Sequence, residues 1–518
     1  MKKIIILTGV LIAFGSCKKF LDTVPLDSVT PVNYYRNETE LNRALAGVYD
    51  RLGDFRTYGR GMYSFLTFDD EHFAKGQTTG FFANQIDAST LEINRCWETL
   101  YTGIERANML LDNIGNAEVS DALRNEIKGQ TLALRAYYYF LLVDMWGGVP
   151  LKLVSTKSPT EPPLPRSSIA EVYAQIVKDL KEAEDLTRPI SYYGFNGKVS
   201  KTAVQAILAK VYLTMAGQPL QDVAKYEDAK LYAQKVIESG EHALNADFKQ
   251  IFINHAQNLY DIRECLWEVE FQGDNQGVIR EGGSLGSYMG IFNQDINSGY
   301  GYDIMHITAK LYNSFAAEDL RRDWVCAPFR YVLTNGVGVK TNWQPNEIYE
   351  RSVGKWRREY EPMPRNQDYT GTNFPLMRYS DVLLMYAEAE NYLNSPTESA
   401  YDAINMVRRR GYGKPVAVPD VTADLPTGLN KVDFQEAVRM ERLRELSLEA
   451  VRKHDLIRWG IYVSTMQQMV TTLQATMPAT MVTAAVNQAR NVTERSVLFP
   501  IPNSEISVNP SISQNPGW

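Results

Sequence analysis

The chain has 518 residues, 44% hydrophobic and 22% charged, with a formal net charge of −7. This is the balance of a globular protein in water, and the acidic surplus argues against a nucleic-acid partner, because phosphate binding needs a clustered basic surface. Beyond Cys17 there are three cysteines, Cys96, Cys265 and Cys326, at wide spacing. An odd number excludes a full disulfide framework, and the spacing matches no metal motif, so no metal or other cofactor is expected.

In chain order, Lys2 and Lys3 precede an apolar run that ends at Phe14. The run is shorter than the about 20 residues that span a bilayer, so residues 1–16 read as a secretory signal. Gly15 and Ser16 lead into Cys17, which is the lipoprotein form of that signal. The Cys17 thiol would carry a diacylglycerol and open a mature chain, 17–518, read as one domain. No later apolar run is long enough to cross a membrane.

Helical spacing follows. In 38–52, Leu41, Leu45, Val48, Tyr49 and Leu52 share a face. In 96–114, Trp97, Leu100, Tyr101, Ile104, Ala107 and Leu111 do the same. Further helices are predicted over 125–145, 169–186, 201–215, 226–237, 380–393, 399–410 and 434–459. Ala-x-x-Tyr recurs at Ala46/Tyr49, Ala136/Tyr139, Ala209/Tyr212 and Ala389/Tyr392. In a tetratricopeptide unit a small residue admits the paired helix and an aromatic fills the space beside it. The reading is a mainly α fold: an irregular tetratricopeptide-like scaffold of helical pairs over 38–245 and 378–460, with a tail, 461–518. The alternative is an irregular helical domain without repeat ancestry.

Between the two helical stretches, 246–377 is a long, loop-rich insertion in which Gly, Asn and aromatic residues dominate. Long loops on a rigid scaffold are where binding residues concentrate. Phe73, Phe82, Tyr288, Phe292, Tyr300, Tyr302 and Trp343 lie in Gly-rich or polar segments with no helical face to bury them. They are the candidate ligand-binding residues, whereas Tyr137, Tyr212 and Tyr392 are expected to face the core. The densest polar cluster, Asp69-Asp70-Glu71-His72, is read as structural. Consecutive side chains diverge, whereas glycosidase carboxylates face each other across a bond. The five histidines show no ligand-like pairing, and His454 is assigned to a charge network with Arg452, Asp455 and Arg458.

Several motifs in order carry a resemblance. These are Cys17-Lys-Lys-Phe-Leu-Asp22, then Arg378-Tyr-Ser-Asp-Val-Leu-Leu-Met-Tyr-Ala-Glu-Ala-Glu390, and Glu441-Arg-Leu-Arg-Glu-Leu446. Arg452 with Asp455-Leu-Ile-Arg-Trp-Gly460, Phe499-Pro-Ile-Pro502, Asn509-Pro510 and Gln514-Asn-Pro-Gly517 complete the series. The chain resembles the SusD-like (RagB/SusD) lipoproteins of Bacteroidetes nutrient-uptake systems. It departs from their pattern at Ala450, where Gly is common, at Trp518, where Tyr is usual, and after Lys19, where no acidic run follows. The resemblance implies a surface-exposed lipoprotein of the outer membrane that is not an enzyme. It would bind a glycan, or in some relatives a peptide, and hand it to a SusC-like TonB-dependent transporter. A protein-only tetratricopeptide scaffold and, behind it, a glycoside hydrolase are the alternatives.

Replacing Cys17 with Ser removes the atom that takes the lipid. The variant is expected to stay unprocessed or unanchored in a membrane fractionation with lipid labelling, and a lipidated, membrane-bound variant would refute the assignment.

Overall fold

The computed structural model describes residues 34–62, 68–272 and 282–518. Cys17 lies outside them. No helix among the described residues is long and apolar enough to cross a membrane.

Helices dominate and pack in consecutive pairs. The first four are α1 (Glu38–Gly53), α2 (Leu91–Asn113), α3 (Asp121–Trp146) and α4 (Ile169–Leu186). Next come α5 (Lys201–Ala216), α6 (Lys225–Glu238) and α7 (Phe248–Gln257), then α8 (Tyr379–Asn394) and α9 (Glu398–Gly411). The start signals are local. Asn37, Ser120, Ser200 and Thr397 cap their helices through side-chain oxygens, and Ser168 with Glu171 closes a capping box on α4. Each helix from α1 to α6 packs on the next, α6 packs on α8, and α8 on α9. The pairs α1/α2, α3/α4, α5/α6 and α8/α9 are those marked by the recurrent Ala-x-x-Tyr. In the middle of the stack, α5 is buried on nearly all sides, so its sequence is apolar all round rather than striped.

Two positions of that signature behave differently. Ala46 is exposed, because α1 buries the stripe Leu41, Leu45, Val48 and Leu52 instead. Tyr392 does not face the core. It is 36% exposed at the end of α8 and stacks on Tyr226, with ring centroids 3.8 Å apart.

The expected helix over 434–459 is two helices, α10 (Lys431–Glu445) and α11 (Arg452–Arg458). Between them Leu448 and Ala450 adopt left-handed backbone, with φ of 64° and 59°. The physical reason is a set of buried charges that takes the carbonyls a continuous helix would use. Lys355 Nζ donates to the carbonyls of Glu445 and Ser447, Arg378 Nη2 donates to that of Glu445, and the Leu448 amide donates to Glu71 Oε2. The segment read as a tail also folds: α12 (Tyr462–Thr476) and α13 (Val482–Arg490) pack together. With Leu456 and Ile457 they form a second apolar core.

Three short antiparallel pairs accompany the helices among the described residues. In chain order the strands are β1 (His72–Ala74), β2 (Cys265–Val269), β3 (Met305–Ile307), β4 (Phe329–Thr334), β5 (Val337–Asn342) and β6 (Phe374–Arg378). They pair as β1–β3, β2–β6 and the hairpin β4–β5. The insertion is thus not loop alone, since it holds α7 and most of the strands.

Glu441 and Asp455 are fully buried, which by itself raises a carboxyl's pKa. Arg321, Arg444 and Arg408 around Glu441, and Arg442 and Arg458 around Asp455, overcome burial and hold both at about 2. Glu445 and Asp70 are also held well below the usual range, whereas burial prevails at Glu264 and raises it.

A depressed carboxyl stabilises the fold above its unfolded pKa and loses that contribution as pH falls through the folded one. Stability measured by urea unfolding is therefore expected to fall steadily from about pH 4.5 to about pH 2, with Glu441 alone contributing about 3 kcal/mol. Stability that stayed flat over that window would refute the assignment. In the helical stack, Ala209→Trp is expected to cost about 1–3 kcal/mol by overpacking, while Leu231→Trp on the exposed face of α6 leaves the melting temperature nearly unchanged. An unmoved Ala209→Trp would mean that the pair register is wrong.

Candidate ligand-binding face

The seven aromatics read from the sequence part company in the structure. Phe73 is a correction. It is completely buried on β1, edge-on to His306 and Tyr349, because the β1–β3 pairing turns it into the core of α12 and α13. Phe82 is half-buried in a single 3-10 turn, edge-on to Phe81. Trp343 follows β5 under the Arg330 guanidinium, 4.5 Å from its ring centre. Phe292 is 41% exposed.

Tyr288, Tyr300 and Tyr302 do come together. Tyr288 and Tyr302 have ring centroids 5.0 Å apart at 40°, and Tyr300 meets Tyr302 at 5.0 Å and 69°. All three are half-buried. Arg60 lies over the Tyr288 ring at 4.1 Å and over the exposed Phe55 ring at 4.0 Å, in the geometry of a cation–π contact. Polar groups stand beside the rings. The Tyr302 hydroxyl donates to Asp368 Oδ1 and accepts from Gln367 Nε2 at 3.1 Å. The hydrogen bond to Asp368, with some burial, raises the Tyr302 phenol above its usual pKa, so it stays a neutral donor. Asp368 and Gln367 are exposed, leaving free lone pairs and N–H groups toward solvent.

One buried cation holds this surface in shape. Arg358, 4% exposed, donates to four carbonyls: Tyr300 at 2.7 Å, Gln367 at 3.1 Å, Asn366 at 2.6 Å and Tyr369 at 2.9 Å. Its Nε faces Glu361 at 3.0 Å. A single guanidinium therefore joins the two loops that carry Tyr300, Tyr302 and Asp368. Glycine permits the approach. A Cβ at Gly299, whose φ is +98°, would stand 2.6 Å from Arg358 Cβ, and one at Gly286 would stand 2.8 Å from Arg358 Cγ. The Gly-rich segment that reads as loop chemistry is thus a close-packing device, and it includes one helical turn, Leu285–Met289, that presents Tyr288. Arg358, Asp368, Gln367 and Arg60 were not singled out in the sequence, because the partners that give Arg358 its role are backbone carbonyls of distant loops.

The other polar clusters lie inside the protein. Asp70 is gripped by Arg452 at 2.8 and 2.9 Å and by Lys310, and His454 pairs with Asp144. Asp69, Asp70 and Glu71 are each at most 2% exposed, so this carboxylate cluster is out of reach of a glycosidic bond. Two buried groups have donor sets that could hold an ion: Asp69, Glu71 and His72, and His255, Cys265 and Glu268. The second was invisible at sequence level, where Cys265 and the histidines show no ligand spacing.

Known proteins resemble this chain over nearly its whole length. A family model described as the SusD family matches residues 331–518, and one described as starch-binding, associating with the outer membrane, matches residues 19–213. A crystal structure of a SusD homolog from Bacteroides thetaiotaomicron superposes with a TM-score of 0.87 at 32% identity, covering 94% of this chain and 98% of that one. A SusD-like protein of Formosa agariphila is 24% identical over 99% of this chain and 98% of its own. The starch-binding protein SusD of B. thetaiotaomicron is 25% identical over 80% of this chain and 76% of its own. With that coverage, and with the expected helical scaffold in place, the chain belongs to the SusD family.

Proposed function

We propose that this chain is a non-catalytic, lipid-anchored protein of the outer-membrane surface that captures an oligo- or polysaccharide and passes it to a SusC-like TonB-dependent transporter. The observation that carries the capture step is the meeting of Tyr288 with Tyr300 and Tyr302, from two segments, at a half-buried surface flanked by Asp368 and Gln367. Aromatic faces suit the C–H faces of sugar rings, and carboxylate and amide groups at their edge suit hydroxyls. The family's starch-binding description and the starch-binding protein among the relatives support a glycan over other small ligands. Anchoring and transfer rest on the residues around Cys17 and on the family resemblance.

The test is calorimetry against a panel of α- and β-glucan oligosaccharides. For the glycan that binds best, Tyr288→Ala, Tyr300→Ala and Tyr302→Ala are each expected to weaken affinity roughly five- to tenfold, about 1 kcal/mol or somewhat more per lost ring contact. Melting temperatures should stay close to the parent, since all three rings are half-exposed. Unchanged affinity in all three variants would place the ligand elsewhere.

A further inference from the structure

α7 and β2 bring three unlike donor atoms together. His255 stands in the last turn of α7, and Cys265 and Glu268 stand on β2. Residues three apart on a regular strand point to opposite faces. The pairing of β2 with β6 shifts register between Cys265 and Trp267 and again between Trp267 and Glu268. Such irregularity re-aims side chains, and here it leaves Cys265 and Glu268 on the same side, facing His255. The imidazole nitrogen, the thiol sulfur and the carboxylate oxygen lie within 4.8 Å of one another. All three residues are at most 3% exposed.

The polar bookkeeping of this group is incomplete. His255 Nδ1 approaches Glu268 Oε2 to 3.0 Å, yet neither ring nitrogen makes a directed hydrogen bond. A buried imidazole in that state forgoes the contacts that normally offset its desolvation. Glu268 has no Lys or Arg within ion-pair distance among the described residues. Its oxygens accept instead from two amides, Asn373 Nδ2 at 2.9 Å and Asn196 Nδ2 at 3.2 Å. Those amides fix the carboxylate's orientation without neutralising it, which is how side chains around a metal ligand act.

We propose that His255, Cys265 and Glu268 form a binding site for one divalent transition-metal ion of the zinc class, stapling α7 to β2. A neutral imidazole, a thiolate and a carboxylate supply two negative charges to balance a dication, with one proton released from the thiol as the metal–sulfur bond forms. The mixed nitrogen, sulfur and oxygen set suits zinc or cobalt, whereas calcium and magnesium take oxygen ligands. Two residues beyond the strand so braced, the ring of Phe271 lies against Gly283.

The experiment refolds the purified protein with zinc, or with cobalt as a spectroscopic probe, and strips loosely held ions over a chelating resin. About one equivalent of zinc should remain by elemental analysis, and the cobalt form should show thiolate-to-metal charge-transfer absorption in the near ultraviolet. Cys265→Ala and His255→Ala should each abolish both signals, while Cys326→Ala, which alters an equally buried thiol, keeps them. Folded parent protein that retains below about a tenth of an equivalent, or whose cobalt form lacks the sulfur band, overturns the site. So does a folded Cys265→Ala that still holds metal. The parent measurements decide the question by themselves if a variant fails to fold.

Discussion

The structure hangs on a connected set of buried ion pairs centred on Arg378 and Glu445. Arg378 reaches Glu264 at 3.0 Å, Glu445 at 2.8 Å and Glu449 at 2.8 Å. Glu445 is shared with Arg410 and Arg321, and Arg321 goes on to Asp319 and Glu441. These groups are essentially without solvent contact. Desolvating so many charges costs several kcal/mol per ion, and the pairs offset this only because nearly every oxygen has a guanidinium or ammonium partner. The consequence is cooperativity. The network joins α9, α10, the junction of β6 with α8, and the approach to β2, so removing one member strands several others.

The same network explains the break between α10 and α11. A helix continuing past Glu445 would need the carbonyls that Lys355 and Arg378 occupy. The chain instead turns through left-handed Leu448 and Ala450, and that turn sends the Leu448 amide to Glu71 and places Arg452 on Asp70. Ala450 holds a φ of 59°, a conformation that a residue without Cβ takes with less steric cost. Through Asp70 and Glu71 the network extends to Thr308, whose hydroxyl donates to the carbonyls of both, and so to β1 and β3 beneath the ligand face.

What the sequence disclosed follows the range of the interactions involved. Helices are written in local periodicity and caps, and most predicted boundaries fall within a few residues of those observed. The signal for α12 was present as well, since Tyr462, Met466, Met469 and Leu473 recur at helical spacing. Met and Tyr mark such a stripe more weakly than Leu or Val, so the segment reads as a tail. Non-local decisions were not legible. Phe73 is buried by a three-residue strand that pairs with a partner more than two hundred positions away. The break after Glu445 depends on cations from two other segments, and the meeting of His255, Cys265 and Glu268 depends on a register shift that no spacing rule encodes.

The candidate ligand face joins these two kinds of information. Its aromatic residues were recognisable because nothing local could bury them, yet only Tyr288, Tyr300 and Tyr302 share a surface. What joins their loops is Arg358, a buried cation satisfied by the carbonyls of two separate segments. Fixing a loop before a ligand arrives removes part of the ordering cost that binding would otherwise carry. Tyrosine adds large contact area with few rotatable bonds, so less side-chain entropy is lost on contact. The helical stack supplies rigidity at long range, the ion network carries it to the insertion, and Arg358 carries it the last few ångströms to the tyrosines. Buried hydrogen bonds of this kind tie the tyrosine-bearing loop to its neighbour within the fold itself.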